Sequence, residues 1–138
     1  MNIEITPQTL VGSVNAVASK SHAHRLLIAA ALSKRPAEVS IRTTSQDIEA
    51  TRACLKQLKA GIPVLDCGES GSTLRFLLPV IMALKEEAIF LGSGRLPQRP
   101  ISPLKEEMEA HGCSFSNKHR TKGTAQEICH IKGRLQGG

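Results

Sequence analysis

An α/β fold, with helices covering one face of mixed sheets, is what this sequence predicts, on two observations. Short apolar runs alternate with longer stretches at helical spacing, in the order β, α, β, α, β, α, β, α, β, β. The stretches SKSHAHRLLIAAAL and ESGSTLRFLLPVIMAL also echo each other. Each sets small or hydroxyl residues before an Arg on the first helical turn, then an apolar run. The echo implies a repeated βαβ-type unit whose helix N-termini converge.

Ile3 and Ile5 alternate with polar residues, a short opening strand. Residues 22–33 form the first helix, with Ser19 or Ser21 as N-cap and Pro36 closing its exit. Residues 38–41 are strand-like. Ser45 caps a second helix that ends at Gly61, with Ile48, Cys54, Leu55 and Leu58 as its apolar stripe. A strand over 62–66 leads through CGESGSTLR into a third helix over 71–84. Ala88–Leu91 is a strand and GSGRLPQRP a loop. Ser102 and Pro103 open a fourth helix running to Gly112, and strands over 113–116 and 126–131 follow.

The 138 residues are 41% hydrophobic and 22% charged, a globular rather than disordered composition. Three Phe with no Tyr or Trp leave a core of Leu, Ile, Val and Ala. The apolar runs Leu26–Leu32 and Phe76–Leu84 are too short to span a bilayer, and the first ten residues lack the order of a signal peptide. Cys54, Cys67, Cys113 and Cys129 show neither CxxC pairing nor zinc-like spacing. They read as small buried thiols in a reducing, cytoplasmic setting.

A formal net charge of +6 points to an anionic partner. The helix starts show where it would bind. A helix N-terminus offers unpaired N–H donors and partial positive charge, and Ser21, Lys20 and Arg25 add hydroxyl and cationic groups there. Gly71 and Arg75 repeat the arrangement four residues apart on one helix face, and Arg99 stands just ahead of the fourth helix. His22 and His24 are two apart on a helix, point different ways and make no metal pair; surface or pocket-rim roles are expected for both. The run 117–122 is expected at a solvated hairpin tip, and 105–109 on a solvated helix face. A basic nucleic-acid-binding module would account for the charge but not for the helix starts, and base-stacking platforms are hard to build without Tyr or Trp.

In their order, SKSxxxR (19–25), GESGSTLR (68–75) and RLPQRPISPL (95–104) resemble the 5-enolpyruvylshikimate-3-phosphate synthases. The resemblance runs from about Val11 to Gly138 and covers the N-terminal part of that family's sequence. It implies repeated βαβαββ units of the enolpyruvyl transferase, inverse α/β barrel-like fold, here incomplete. On that basis residues 1–18 are expected as the opening strand segment of a half-domain completed elsewhere, and 19–138 as a partial substrate-binding half-domain.

The resemblance also implies transfer of the carboxyvinyl group of phosphoenolpyruvate to the 5-hydroxyl of shikimate 3-phosphate, in aromatic amino-acid biosynthesis. No metal or organic cofactor, nucleic acid or membrane takes part, and the parent enzyme is expected to be monomeric. Lys20 is expected between the two substrates, with a share in proton transfer. Ser21 and Arg25 are expected on shikimate 3-phosphate, and Gly71 and Arg99 on phosphoenolpyruvate. Arg75 and Asp47 match family positions near the pocket. This chain alone is expected to be inactive. A UDP-sugar carboxyvinyltransferase shares the fold, but SKSxxxR favours the shikimate branch. Two departures stand out: the segment before IPVLDCG is short, where relatives place a hairpin, and Glu69 puts a carboxylate beside an anion site.

Overall fold

The computed structural model describes residues 3, 4, 6–9 and 11–137. Helix α1 spans Lys20–Leu32 and α2 spans Gln46–Lys56, running on through a 3-10 turn at Gln57–Lys59. Strand β1 is Val64–Asp66, α3 Gly71–Leu84, β2 Glu87–Gly92, α4 Leu104–Ala110, β3 Ser114–Ser116, β4 Thr121–Lys122 and β5 Ala125–Lys132.

Capping chemistry explains the three long helices. Ser19 Oγ accepts the His22 N–H, Ser45 Oγ the Ile48 N–H and Ser70 Oγ the Thr73 N–H. Each satisfies one of the donors that a helix start leaves unpaired. Helix α1 therefore begins at Lys20, two residues earlier than expected, and Ser19 rather than Ser21 is its cap. Helix α3 runs through Pro79, which supplies no N–H to the ladder.

Strands β1 and β2 pair in parallel across the α3 crossover, and β5 lies antiparallel between β2 and β3. Residues 64–132 thus form one complete βαβαββ unit, with β4 as a small flap on β5. The sheet is open, not closed into a barrel. Its core gathers Leu74, Leu77, Leu78, Ile81 and Met82 of α3 against Leu65, Phe90 and Ile131 of the strands. Burying a side chain such as Phe90 removes it wholly from water and stabilises by about 1.5–3 kcal/mol.

The second expected repeat is only half present. Its helices α1 and α2 pack on each other, but 38–41 forms no strand, and neither does Ile3; Ile5 lies outside the described residues. A strand persists only when its backbone groups find a partner ladder. Among the described residues none flanks 38–41, whose Val39 and Ile41 instead line a groove beside Ala23 and Leu26 of α1.

All four cysteines are buried free thiols, as expected. The neighbouring Cys54 sulfur and burial push the Cys67 thiol well up, and burial pushes Cys129 up to about 12, so neither is a poised nucleophile. His22 is exposed, but His24 is not at a rim: it is 1% exposed, inside the α1–α2–α3 contact. Residues 117–122 are exposed, as their polarity suggests.

Candidate functional site

The starts of α1, α2 and α3 face one another around a cleft of about 510 Å³. Lys20, Asp47, Glu69, Gly71, Arg75 and Arg99 line it, with Ser72 and Phe76. Lys20 is the first residue of α1, Asp47 the second of α2 and Gly71 the first of α3. Arg99 follows the 3-10 turn Leu96–Gln98.

Gly71 is the pivot of one wall. A Cβ placed there would lie 2.7 Å from Arg75 Nη1 and 3.4 Å from Arg99 Nη1. Two guanidinium groups therefore converge over a backbone that only glycine leaves uncovered. They are not equivalent. Arg75 Nη2 donates to Pro100 O at 2.8 Å and Nη1 to Gly71 O at 3.2 Å, which ties α3 to the loop carrying Arg99.

Lys20 Nζ donates to Asp47 Oδ2 at 2.7 Å across the opposite wall. That bond, with help from the Ser70 hydroxyl, holds the Asp47 carboxyl below the usual carboxylate range against the upward pull of partial burial. The cleft thus carries three cations and two carboxylates, with one cation already paired. An incoming anion would meet Arg99 and the first-turn N–H groups of α3 and compete with Asp47 for Lys20.

Glu69 does not cap α3, since Ser70 does. Its carboxylate lies over Gly94, at φ +55, in the space a side chain there would fill. Because it also lines the cleft, its charge opposes anion entry.

Ser21 and Arg25 stand apart from this lining. Ser21 borders an adjacent depression with Lys20, Thr44 and Ser45. Arg25 Nη1 donates to Ser21 O at 2.9 Å, and its guanidinium lies 5.2 Å from the centre of the Phe76 ring. Phe76 lines the cleft, so Arg25 flanks it from behind that ring. Lys20 is shared by both depressions.

Behind the cleft lies a polar cluster that sequence reasoning missed. His24 Nδ1 is 2.7 Å from Thr51 Oγ1, Thr51 Oγ1 is 2.7 Å from Thr73 Oγ1, and Thr73 Oγ1 is 2.8 Å from Ser70 Oγ. All four residues are buried. Thr51 sits three residues from both Ile48 and Cys54, on the apolar stripe of α2, and that spacing was the available signal. Among the described residues, no three His, Cys, Asp or Glu side chains form a metal-binding group, and no helix is long and apolar enough to cross a membrane.

The family model described as EPSP synthase (3-phosphoshikimate 1-carboxyvinyltransferase) matches residues 5–64 and 60–134. Three curated relatives carry the name 3-phosphoshikimate 1-carboxyvinyltransferase. That of Clostridium perfringens (strain SM101 / Type A) is 36% identical over 97% of this chain and 35% of its own length. The Brachyspira hyodysenteriae protein is 34% identical over 99% of this chain and 35% of its own. That of Clostridium novyi (strain NT) is 32% identical over 86% of this chain and 34% of its own. The chain therefore spans about a third of the length of the relatives it matches. The alignment with the first, 154 residues long, exceeds the 138 of the chain, so the relative holds residues absent here. The two matched segments meet at 60–64, where the sequence looks short. With a family match along nearly its whole length, on a fold holding one full βαβαββ unit, the chain belongs to the EPSP synthase family.

Proposed function

We propose that the cleft is the phosphoenolpyruvate-side anion site of a carboxyvinyl transferase, and that the neighbouring depression at Ser21 takes part in holding shikimate 3-phosphate. The observation that carries this is the convergence of Arg75 and Arg99 over the bare backbone of Gly71, with Lys20 across the gap. Arg99 supplies bidentate recognition of a planar carboxylate or a phosphate, for which guanidinium is suited. Arg75 positions it through Pro100. Lys20, bordering both depressions, sits where the two substrates would meet.

In the transfer, the enol carbon of phosphoenolpyruvate gains a proton while the 5-hydroxyl of shikimate 3-phosphate loses one and bonds to the adjacent carbon. Elimination then expels phosphate and removes a proton to restore the vinyl group. Lys20 stabilises the negative charge of both reactants and, once released from Asp47, has a proton to give. Arg25, behind Phe76, extends the positive field towards the shikimate side. The parent is read as a monomeric enzyme of aromatic amino-acid biosynthesis, and the four buried free thiols suit the reducing cytoplasm in which it is placed.

Calorimetric titration with phosphoenolpyruvate and with shikimate 3-phosphate tests this. Saturable binding of each is expected, with that of phosphoenolpyruvate weakened at least tenfold in Arg99→Gln. No saturable response at millimolar ligand, or an unchanged phosphoenolpyruvate response in Arg99→Gln, would overturn it.

A further inference from the structure

The two walls of the cleft stand on different helices, and a buried contact joins α2 to α3 between them. Thr51 Oγ1, on α2, lies 2.7 Å from Thr73 Oγ1, on α3. Two hydroxyl oxygens approach that closely with a proton between them, so the bond exists whichever of the two donates. Thr73 Oγ1 also lies 3.2 Å from the Asp47 backbone carbonyl oxygen, again on α2. Among the described residues, these are the hydrogen bonds that join α2 to α3. Both threonines are fully buried, so no solvent water can stand in for a lost partner.

Each side of this contact carries ligand-facing groups. On one side, Lys20 of α1 is bonded to Asp47 of α2, and His24 Nδ1 of α1 lies 2.7 Å from Thr51 Oγ1 of α2. Two polar bonds thus tie α1 to α2. On the other side, Arg75 ties α3 to the loop that carries Arg99. The gap between Lys20 and Arg99 therefore depends on how α2 sits against α3. We propose that the Thr51–Thr73 bond is the pin that fixes this gap, and that Thr73 is a positioning residue for the anion site. This inference rests on the anion-site reading above.

Thr73 is singled out because it alone reaches across. Thr51 Oγ1 also lies 3.3 Å from the Asp47 carbonyl oxygen, but that contact stays within α2 and joins nothing. Thr73 is the third residue of α3, and its neighbours Gly71 and Ser72 line the cleft. A shift of α2 against Thr73 is therefore felt at once between the Lys20 wall and the arginine wall.

Thr73→Val keeps the shape of the side chain and removes its hydroxyl, while Thr51 retains His24 and the Asp47 carbonyl as partners. Thr73→Ser keeps the hydroxyl. Calorimetry is expected to show phosphoenolpyruvate binding about fivefold weaker in Thr73→Val and restored in Thr73→Ser. NMR titration of Asp47 gives a second readout. Lys20 is the largest cause of its lowered carboxyl pKa, so that pKa should stay low in Thr73→Val, where the Lys20 wall is displaced but intact. Unchanged affinity in Thr73→Val would overturn the proposal, as would a loss that Thr73→Ser fails to restore. An Asp47 carboxyl returned to its ordinary range would also overturn it, because the wall would then be broken rather than shifted. Should Thr73→Val fail to fold, Thr73→Ser against Thr73→Ala isolates the same hydroxyl and decides by the same affinities. The two readings fail distinguishably. Wild-type protein with no saturable binding refutes the anion site and this proposal together, whereas wild-type binding that survives loss of the hydroxyl refutes the pin alone.

Discussion

Arg75 Nη2 donates to Pro100 O at 2.8 Å, so the guanidinium that the helix-start motif offers to a ligand is already spent on joining α3 to the Arg99 loop. Arg75 and Arg99 are therefore coupled through the backbone between them. Arg75→Lys keeps the charge but loses the fork that holds Pro100 and Gly71 together. It is expected to weaken phosphoenolpyruvate binding severalfold. In a double-mutant cycle with Arg99→Gln the two losses should not add, and additive losses by calorimetry would show that Arg75 acts alone.

Gly71→Ala tests the close approach. The new methyl carbon meets flexible guanidinium ends rather than backbone, and alanine suits a helix start. Thermal stability should change little. Anion affinity should fall about tenfold, equivalent to about 1.4 kcal/mol, as both guanidinium groups are displaced.

Gly133→Ala is the counterpart in the scaffold. Gly133 sits at φ +92, and a Cβ would run into the Gly112 carbonyl oxygen, a backbone atom that has no rotamer to escape through. A loss of about 2–4 kcal/mol is expected in denaturant unfolding. The cleft, at the N-terminal start of α3 and so at the opposite end of that helix from Gly133, should bind anions with unchanged affinity wherever the variant remains folded.

Glu69→Gln removes a negative charge from the cleft while keeping the side chain that fills the space over Gly94. Anion affinity should rise severalfold, and the gain should shrink as salt screens the charge. A salt-independent gain would point to altered packing instead.

Lys20→Met should return the Asp47 carboxyl towards its ordinary pKa, as read by NMR titration, because Lys20 is the largest cause of its depression. The sign follows from linkage. A carboxyl depressed on folding contributes stability that is fully present above its unfolded pKa, near 3.8, and is lost as pH falls through the lower folded value. In Lys20→Met that acid-side loss of stability should be smaller.

Much of this was legible in the sequence. The Ser19 and Ser45 caps and the Gly71–Leu84 helix follow from local chemistry, and the motif spacing puts Lys20, Gly71 and Arg75 at the starts of two helices, with Arg99 in the loop ahead of α4. The strand expected over 38–41 failed because strand formation depends on a partner that local alternation does not reveal. His24 was misplaced because a polar side chain in a core is satisfied by distant hydroxyls, and Thr51 and Thr73 lie 27 and 49 residues away in the chain. Glu69 was electrostatically puzzling until the vacant side-chain position of Gly94 came into contact with it.

The two walls of the cleft differ in mechanical grounding. Gly71, Arg75 and Arg99 belong to the unit welded to the sheet by α3. Lys20 rides on α1, which packs on α2 and leaves Leu26 and Leu32 nearly half exposed. Slippage of α1 would thus move Lys20 against a stationary arginine wall, so the ligand gap is set by the more loosely seated of its two sides.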